Sequence, residues 1–205
     1  MPTLNAYLTE LASSAPTPGG GSAAMIVAAM GASLVAMVSR ITLENEAYAS
    51  HHARLQQIVE RSEALRMQCE TAREEDEAAY RRVVEAMALP KATPEEKTSR
   101  TRTLQEALHE AALAPLNGAE LALNVMRLAS DALAAQNRNL VSDVGCAAEF
   151  AGSAVTACAY NVRINHRFMK DAETVARQVS VLERYERDSA ALLKTIRDEV
   201  NKELA

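Results

Sequence analysis

Residues 22–38 read SAAMIVAAMGASLVAMV, a run that is apolar on nearly every face of a helix and carries no charge. In a water-soluble chain such a helix belongs at the centre of a helical assembly or in a subunit interface. Its most apolar part, residues 23–38, is sixteen residues long and interrupted by Gly31 and Ser33. That is short of the roughly 20 residues a bilayer span needs, so a buried helix is predicted and not a membrane segment.

Upstream, SSAPTPGGGS (residues 13–22) combines two prolines, three consecutive glycines and four hydroxyl side chains, and reads as a turn-forming loop. Before it, Leu4, Tyr7, Leu8 and Leu11 form one apolar stripe on a short helix that Thr3 can cap. The central helix is predicted from Gly20 to Glu46. Residues 47–88 are amphipathic and fit either two helices or one long one. Pro90 ends them, and Thr93-Pro94-Glu95-Glu96 reads as a cap, a first-turn proline and acidic first-turn residues. The helix that follows is expected to kink or restart at Pro115 before continuing to about residue 135. QNRNLVSD (residues 136–143) interrupts, a second small-residue helix covers about 141–167, and Asp171 can cap a last amphipathic helix to about 203.

Composition agrees with this reading. The chain has 205 residues, 48% of them hydrophobic and 3% aromatic, which suits a single core of closely approaching helices. Seven glycines and six prolines, none of the latter beyond Pro115, leave long uninterrupted segments. The predicted fold is therefore all-α, a single-domain multihelical bundle of long small-residue-rich helices over residues 1–205. With 22 Lys+Arg against 27 Asp+Glu the formal charge is -5, which argues against a partner such as duplex DNA or an anionic membrane. Cys69, Cys146 and Cys158 are odd in number and form no CxxC pair, and the N-terminus shows no secretion signal. A reducing, cytoplasmic setting is expected.

Several polar groupings stand out from the helical background. PTPGGGS contributes Pro18, Gly19, Gly20, Gly21 and Ser22, which form either a plain connector or a helix-start cradle for an anionic or polar ligand. It is no Walker sequence, lacking the GK[ST] ending. Asp76 and Tyr80, four apart, share a helix face and either line a pocket or belong to the wet side of the EEDE run. Lys91 either meets an anionic ligand or is a solvated helix-end charge. Asn137, Asn139, Ser142 and Asp143 either cap the following helix or orient a water and a nitrogen heterocycle. Asn161 and Asn165 lie one turn apart on an otherwise buried stripe, where amides need partners from a neighbouring helix or a ligand. Asp143 and Asn161 are 18 positions apart, roughly 27 Å along a straight helix. They serve opposite ends of a long ligand or separate pockets, the latter including one shared across a dimer. His51, His52, His109 and His166 show no HExxH or HxxxH spacing, so no metal site is expected. GxSxG is absent, and basic residues are not interleaved with aromatics as a nucleic-acid platform requires.

The glycine loop with the helix after it, DEAAY (residues 76–80), LPKATPEEK (89–97), Ala114-Pro115-Leu116, NRNLVSD (137–143) and NVRIN (161–165) together resemble the formiminotransferase-cyclodeaminase C-terminal domain family. That family includes free-standing methenyltetrahydrofolate cyclohydrolases. The likeness covers about residues 4–168. It implies an all-helical, usually dimeric protein that binds a tetrahydrofolate derivative as substrate, with no metal and no tightly bound cofactor. It also implies hydrolysis of 5,10-methenyltetrahydrofolate to the 10-formyl form, or cyclisation of the 5-formimino form with loss of ammonia. A carboxylate can activate the water and return a proton to the departing nitrogen, with Asp143 the first candidate and Asp76 the second. Tyr80, Asn137, Asn139, Ser142, Asn161 and Asn165 would position the pterin or the intermediate. Lys91 and the Gly19–Ser22 helix start would meet polar or anionic parts of the folate. Gln136 stands where the family often has glycine, and His166 is an unusual follower of Asn165. A chain with no fused formiminotransferase unit favours the cyclohydrolase reading over the cyclodeaminase one. A noncatalytic helical interaction protein that has kept the fold is the alternative of a different class.

Overall fold

The computed structural model describes residues 3–135 and 137–205, and among them the regular elements are all helical. The apolar run forms the middle of α2 (Gly20–Leu43), which buries Met25, Ala28, Ala32, Val35 and Val38. It lies among α3 (His52–Ala88), α4 (Pro94–Leu133) and α5 (Val141–His166). Small residues permit the close approach. A Cβ on Gly31 would stand 3.0 Å from the carbonyl oxygen of Ala147 on α5 and 3.3 Å from a Val125 methyl on α4. By length and composition alone α2, at 24 residues, is long and apolar enough to cross a membrane, a point on which the sixteen-residue apolar run had suggested otherwise. Its flanks stay helical beyond that run, and 56% of its apolar window is buried inside the protein.

The remaining helices begin where the predicted signals stand. Thr3 caps α1 (Leu4–Leu11), its hydroxyl accepting from the Ala6 N–H. At the start of α4 the Thr93 hydroxyl accepts from the Glu96 N–H, while the Glu96 carboxylate accepts from the Thr93 N–H, a reciprocal pair beside Pro94. Asp171 caps α6 (Ala172–Leu204) by accepting from the N–H groups of Glu173 and Thr174. α6 lays Leu182, Tyr185, Ile196 and Val200 against the bundle.

Three local expectations are corrected and one choice between alternatives is resolved. The central helix ends at Leu43, and a short 3-10 stretch, Glu46–His51, precedes a single long α3. α4 runs unbroken through Pro115. The proline removes one N–H, leaving the carbonyl of Ala111 without its helical donor. Asn165 of α5 supplies a replacement, its side-chain amide donating to that oxygen at 2.9 Å. Finally, neither Ser142 nor Asp143 caps α5. A 3-10 turn, Arg138–Leu140, leads directly into it, and Asp143 sits inside the first turn near the positive end of the helix dipole. The expected change at Gln136 lies outside the described residues.

Candidate active site

The glycine loop meets the middle of α3 at the edge of the bundle. Gly19 occupies the capping position of α2 with extended backbone and no side-chain cap bond, so the first N–H groups of α2 need partners from elsewhere. Asp76 stands against them, and the Ser22 N–H favours its ionised carboxylate. The approach is so close that a Cβ on Gly21 would lie 2.6 Å from the Asp76 carboxyl carbon. A Cβ on Gly20 would lie 3.3 Å from the side-chain nitrogen of Asn161, whereas one on Gly19 would meet nothing within 4 Å. Two of the three glycines thus make room for side chains of this chain itself.

Around this contact is a cleft of about 370 Å³. Pro16, Thr17 and Gly19 to Gly21 form its loop side; Asp76 and Tyr80 of α3 and Asn161 and Asn165 of α5 provide its polar side chains, and Val83, Met87, Leu108, Ile164 and Phe168 its apolar walls. Burial pushes the Asp76 carboxyl up to about 6, the Ser22 N–H pulls it back, and the neighbouring Glu77 charge adds to the rise. A group poised there exchanges a proton readily near neutral pH. Tyr80 is 43% exposed and accessible from the cleft mouth. Asn165 donates to the carbonyls of Ala111 and Asn161, which leaves its amide oxygen for a ligand, while Asn161 donates to the Ala157 carbonyl and keeps its oxygen and one N–H.

Behind the cleft lies a buried polar chain. The Ser22 hydroxyl donates to Glu77 at 2.8 Å and lies 2.9 Å from the Tyr7 hydroxyl. Arg73 donates to the same Glu77 oxygen at 2.9 Å, with its guanidinium carbon 5.9 Å from the centre of the Tyr7 ring. Ser22 is fully buried, so its hydroxyl serves this interior chain and not the cleft.

The other predicted residues fall elsewhere. Pro18 is buried behind the loop, following a cis Thr17–Pro18 peptide bond. Lys91 is exposed on the α3–α4 connection and is not part of the cleft lining. Asn137 lines a separate depression of about 280 Å³ and donates to the Thr42 hydroxyl at 2.8 Å. Asn139 and Ser142 are exposed, and Asp143 is half-buried, at the opposite end of α5 from Asn161. A larger depression of about 710 Å³ lies along α2 beside Met30, Met37 and Phe150, and its lining is mostly apolar. Among the described residues no three His, Cys, Asp or Glu side chains gather as metal ligands.

Sequence reasoning missed the apolar walls and the Tyr7–Ser22–Glu77–Arg73 chain. The signals were faint: Tyr7 is the buried residue of α1, and Arg73 stands four before Glu77 inside a run that reads as solvated.

Residues 3–184 match the family model described as formiminotransferase-cyclodeaminase. A methenyltetrahydrofolate cyclohydrolase from Methylorubrum extorquens is 37% identical over 203 residues, covering 97% of this chain and 98% of that protein. A formimidoyltransferase-cyclodeaminase from Rattus norvegicus is 30% identical over 194 residues, 93% of this chain but 36% of that longer protein. The crystal structure of formiminotetrahydrofolate cyclodeaminase from Thermotoga maritima has the same fold, with a TM-score of 0.90 at 24% identity over 100% of this chain and 98% of that one.

Proposed function

The chain belongs to the formiminotransferase-cyclodeaminase family, and from that premise we propose that it hydrolyses 5,10-methenyltetrahydrofolate to 10-formyltetrahydrofolate, with Asp76 as the reacting carboxylate. The folate-processing chemistry follows from the family; the choice of hydrolysis rests on the end-to-end likeness to the Methylorubrum extorquens cyclohydrolase. The observation that carries the assignment of Asp76 is its raised, near-neutral carboxyl in a cleft with Tyr80 and two asparagines. Asp143, equally eligible by residue type, lines none of the depressions described above.

In this mechanism the ionised Asp76 takes a proton from a water whose oxygen adds to the cationic methenyl carbon. The tetrahedral adduct then collapses: the bond to N5 breaks, the carbonyl of the 10-formyl group forms, and the hydroxyl proton passes to solvent. Asp76 returns its proton to N5. Tyr80 and the amide oxygens of Asn161 and Asn165 hold the heterocycle, and the apolar walls exclude competing water. Methenyltetrahydrofolate enters as substrate and no resident cofactor takes part.

Homodimerisation completes the reading. Met30, Met37 and Ile41 stand exposed along α2 beside the larger depression, a surface of the kind a second copy covers. The cytoplasm is the proposed location, suited to three unpaired thiols.

The test is a side-by-side assay of purified protein, following loss of methenyltetrahydrofolate and formimino-dependent release of ammonia, with spontaneous hydrolysis subtracted. Hydrolysis that Asp76→Asn abolishes is expected. Ammonia release without hydrolysis would instead identify a cyclodeaminase. The absence of both, with no folate-dependent thermal stabilisation, would leave a noncatalytic helical protein.

A further inference from the structure

Resting on Asp76 as the reacting carboxylate, we propose that Glu77 is a positioning residue for it, acting through Ser22: together they lock the first turn of α2 onto Asp76 and keep a negative charge beside it. The geometry is a two-point grip. Ser22 turns its backbone N–H toward Asp76, which Gly21 meets without slack, and gives its hydroxyl proton to Glu77, so the first turn of α2 engages two consecutive carboxylates of α3. Since the only hydroxyl proton of Ser22 is spent on Glu77, the Tyr7 hydroxyl must be the donor in its contact with Ser22. The polarity of the chain is thereby fixed, running from Tyr7 through Ser22 to Glu77, with Arg73 donating to the same oxygen from the other side.

None of these four groups is needed merely to fill space. Ser22 is fully buried and Arg73 is 8% exposed; burying a guanidinium and a carboxylate costs several kcal/mol unless both are paired and hydrogen-bonded. What the arrangement secures is the angle at which the start of α2 meets Asp76, where Gly21 leaves no slack. The groups facing Asp76 are Tyr7 from α1, Glu77 and Tyr80 from α3, and Cys158 from α5, while Arg73 is turned to Glu77 and Glu74. α2 presents backbone N–H, and α4 presents Leu108 and Ala111. Of these, Glu77 is the neighbour whose negative charge opposes ionisation of Asp76, while its own charge is stabilised by Arg73 and Ser22.

The test reads Asp76 without relying on turnover. The difference in unfolding stability between the parent and Asp76→Asn is followed against pH, with and without Glu77→Gln; its pH dependence ends, on the high side, at the midpoint of Asp76 ionisation in the folded protein. Glu77→Gln keeps the shape and an acceptor for Ser22 but removes the charge, and the midpoint is expected to fall by about half a pH unit or more. In parallel, Ser22→Ala and Tyr7→Phe, which shorten the chain without adding bulk, are expected to lower kcat about tenfold or more while leaving KM for methenyltetrahydrofolate within about twofold. A midpoint unmoved by Glu77→Gln overturns the proposal. Where Glu77→Gln does not fold, unchanged kcat in both Ser22→Ala and Tyr7→Phe overturns it. A midpoint that moves in a protein that hydrolyses no methenyltetrahydrofolate supports the grip and defeats only the reaction assigned to the cleft.

Discussion

The side-chain amide of Asn165 donates at 2.9 Å to the carbonyl oxygen of Ala111, the acceptor that Pro115 deprives of its helical donor. One residue of α5 thus mends α4 and, in the same position, lines the cleft. The pairing predicts a coupling that can be measured. Asn165→Ala should cost about 1–3 kcal/mol in urea unfolding, the usual penalty for a buried acceptor left unpaired. In a Pro115→Ala background the helix N–H returns, and the same Asn165→Ala change should cost less by about 1 kcal/mol. Equal costs in both backgrounds would sink the pairing.

The glycine loop makes a sharper distinction. Gly21→Ala drives a methyl group into the Asp76 carboxyl, whereas Gly19→Ala places one in open space with backbone that any residue adopts. Turnover of methenyltetrahydrofolate should fall about 100-fold or more for Gly21→Ala, since small misplacements of a reacting group are that costly. For Gly19→Ala it should stay within about threefold. Steady-state kinetics on the two variants settle the contrast.

Asp76 sets a trade between activity and stability. Its carboxyl, raised from 3.8 to about 6, keeps a proton in the folded protein that the unfolded chain has lost between those values. Stability therefore falls as pH rises through that window, and the cost of the buried charge persists above it. Asp76→Asn should be more stable than the parent at pH 7.5 by about 1–3 kcal/mol and indistinguishable from it at pH 3.5. The parent's kcat/KM should drop as pH falls through about 6, where the carboxylate that accepts the water proton is lost. Urea titrations and a pH–rate profile check the two halves separately.

The exposed methionines of α2 bear on self-association. Met30→Asp introduces a charge at a side chain that is 48% exposed and costs the monomer little. In a homodimer built on this face it should shift sedimentation toward the single chain while leaving the thermal melt of dilute protein nearly unchanged. A mass that does not respond would place the contact elsewhere.

Local chemistry made most of the fold legible. Thr3, the Thr93–Glu96 pair and Asp171 begin helices because their oxygens suit the orphan N–H groups of a first turn, a requirement satisfied within four residues. Pro115 defeated the same kind of reasoning, because the donor that rescues the helix stands 54 positions from the Ala111 carbonyl it serves and leaves no local trace. The site divides similarly. Spacing of one turn put Asp76 with Tyr80 and Asn161 with Asn165, but only tertiary packing brings those two pairs to one glycine loop. The distance between Asp143 and Asn161 follows from helix rise alone, and it was enough to deny them a common reacting atom in one chain.

Among the described residues, the lining of the cleft includes a carboxylate but no lysine or arginine. For the reaction proposed, the ligand arrives with a positive charge on its one-carbon bridge and departs without it. The same turnover that makes the product therefore discharges the attraction that held its precursor, so the wall that favours entry of the cationic bridge offers the uncharged formyl group nothing comparable. Release is then written into the charge of the cleft, with no lid or moving helix required to expel what has formed.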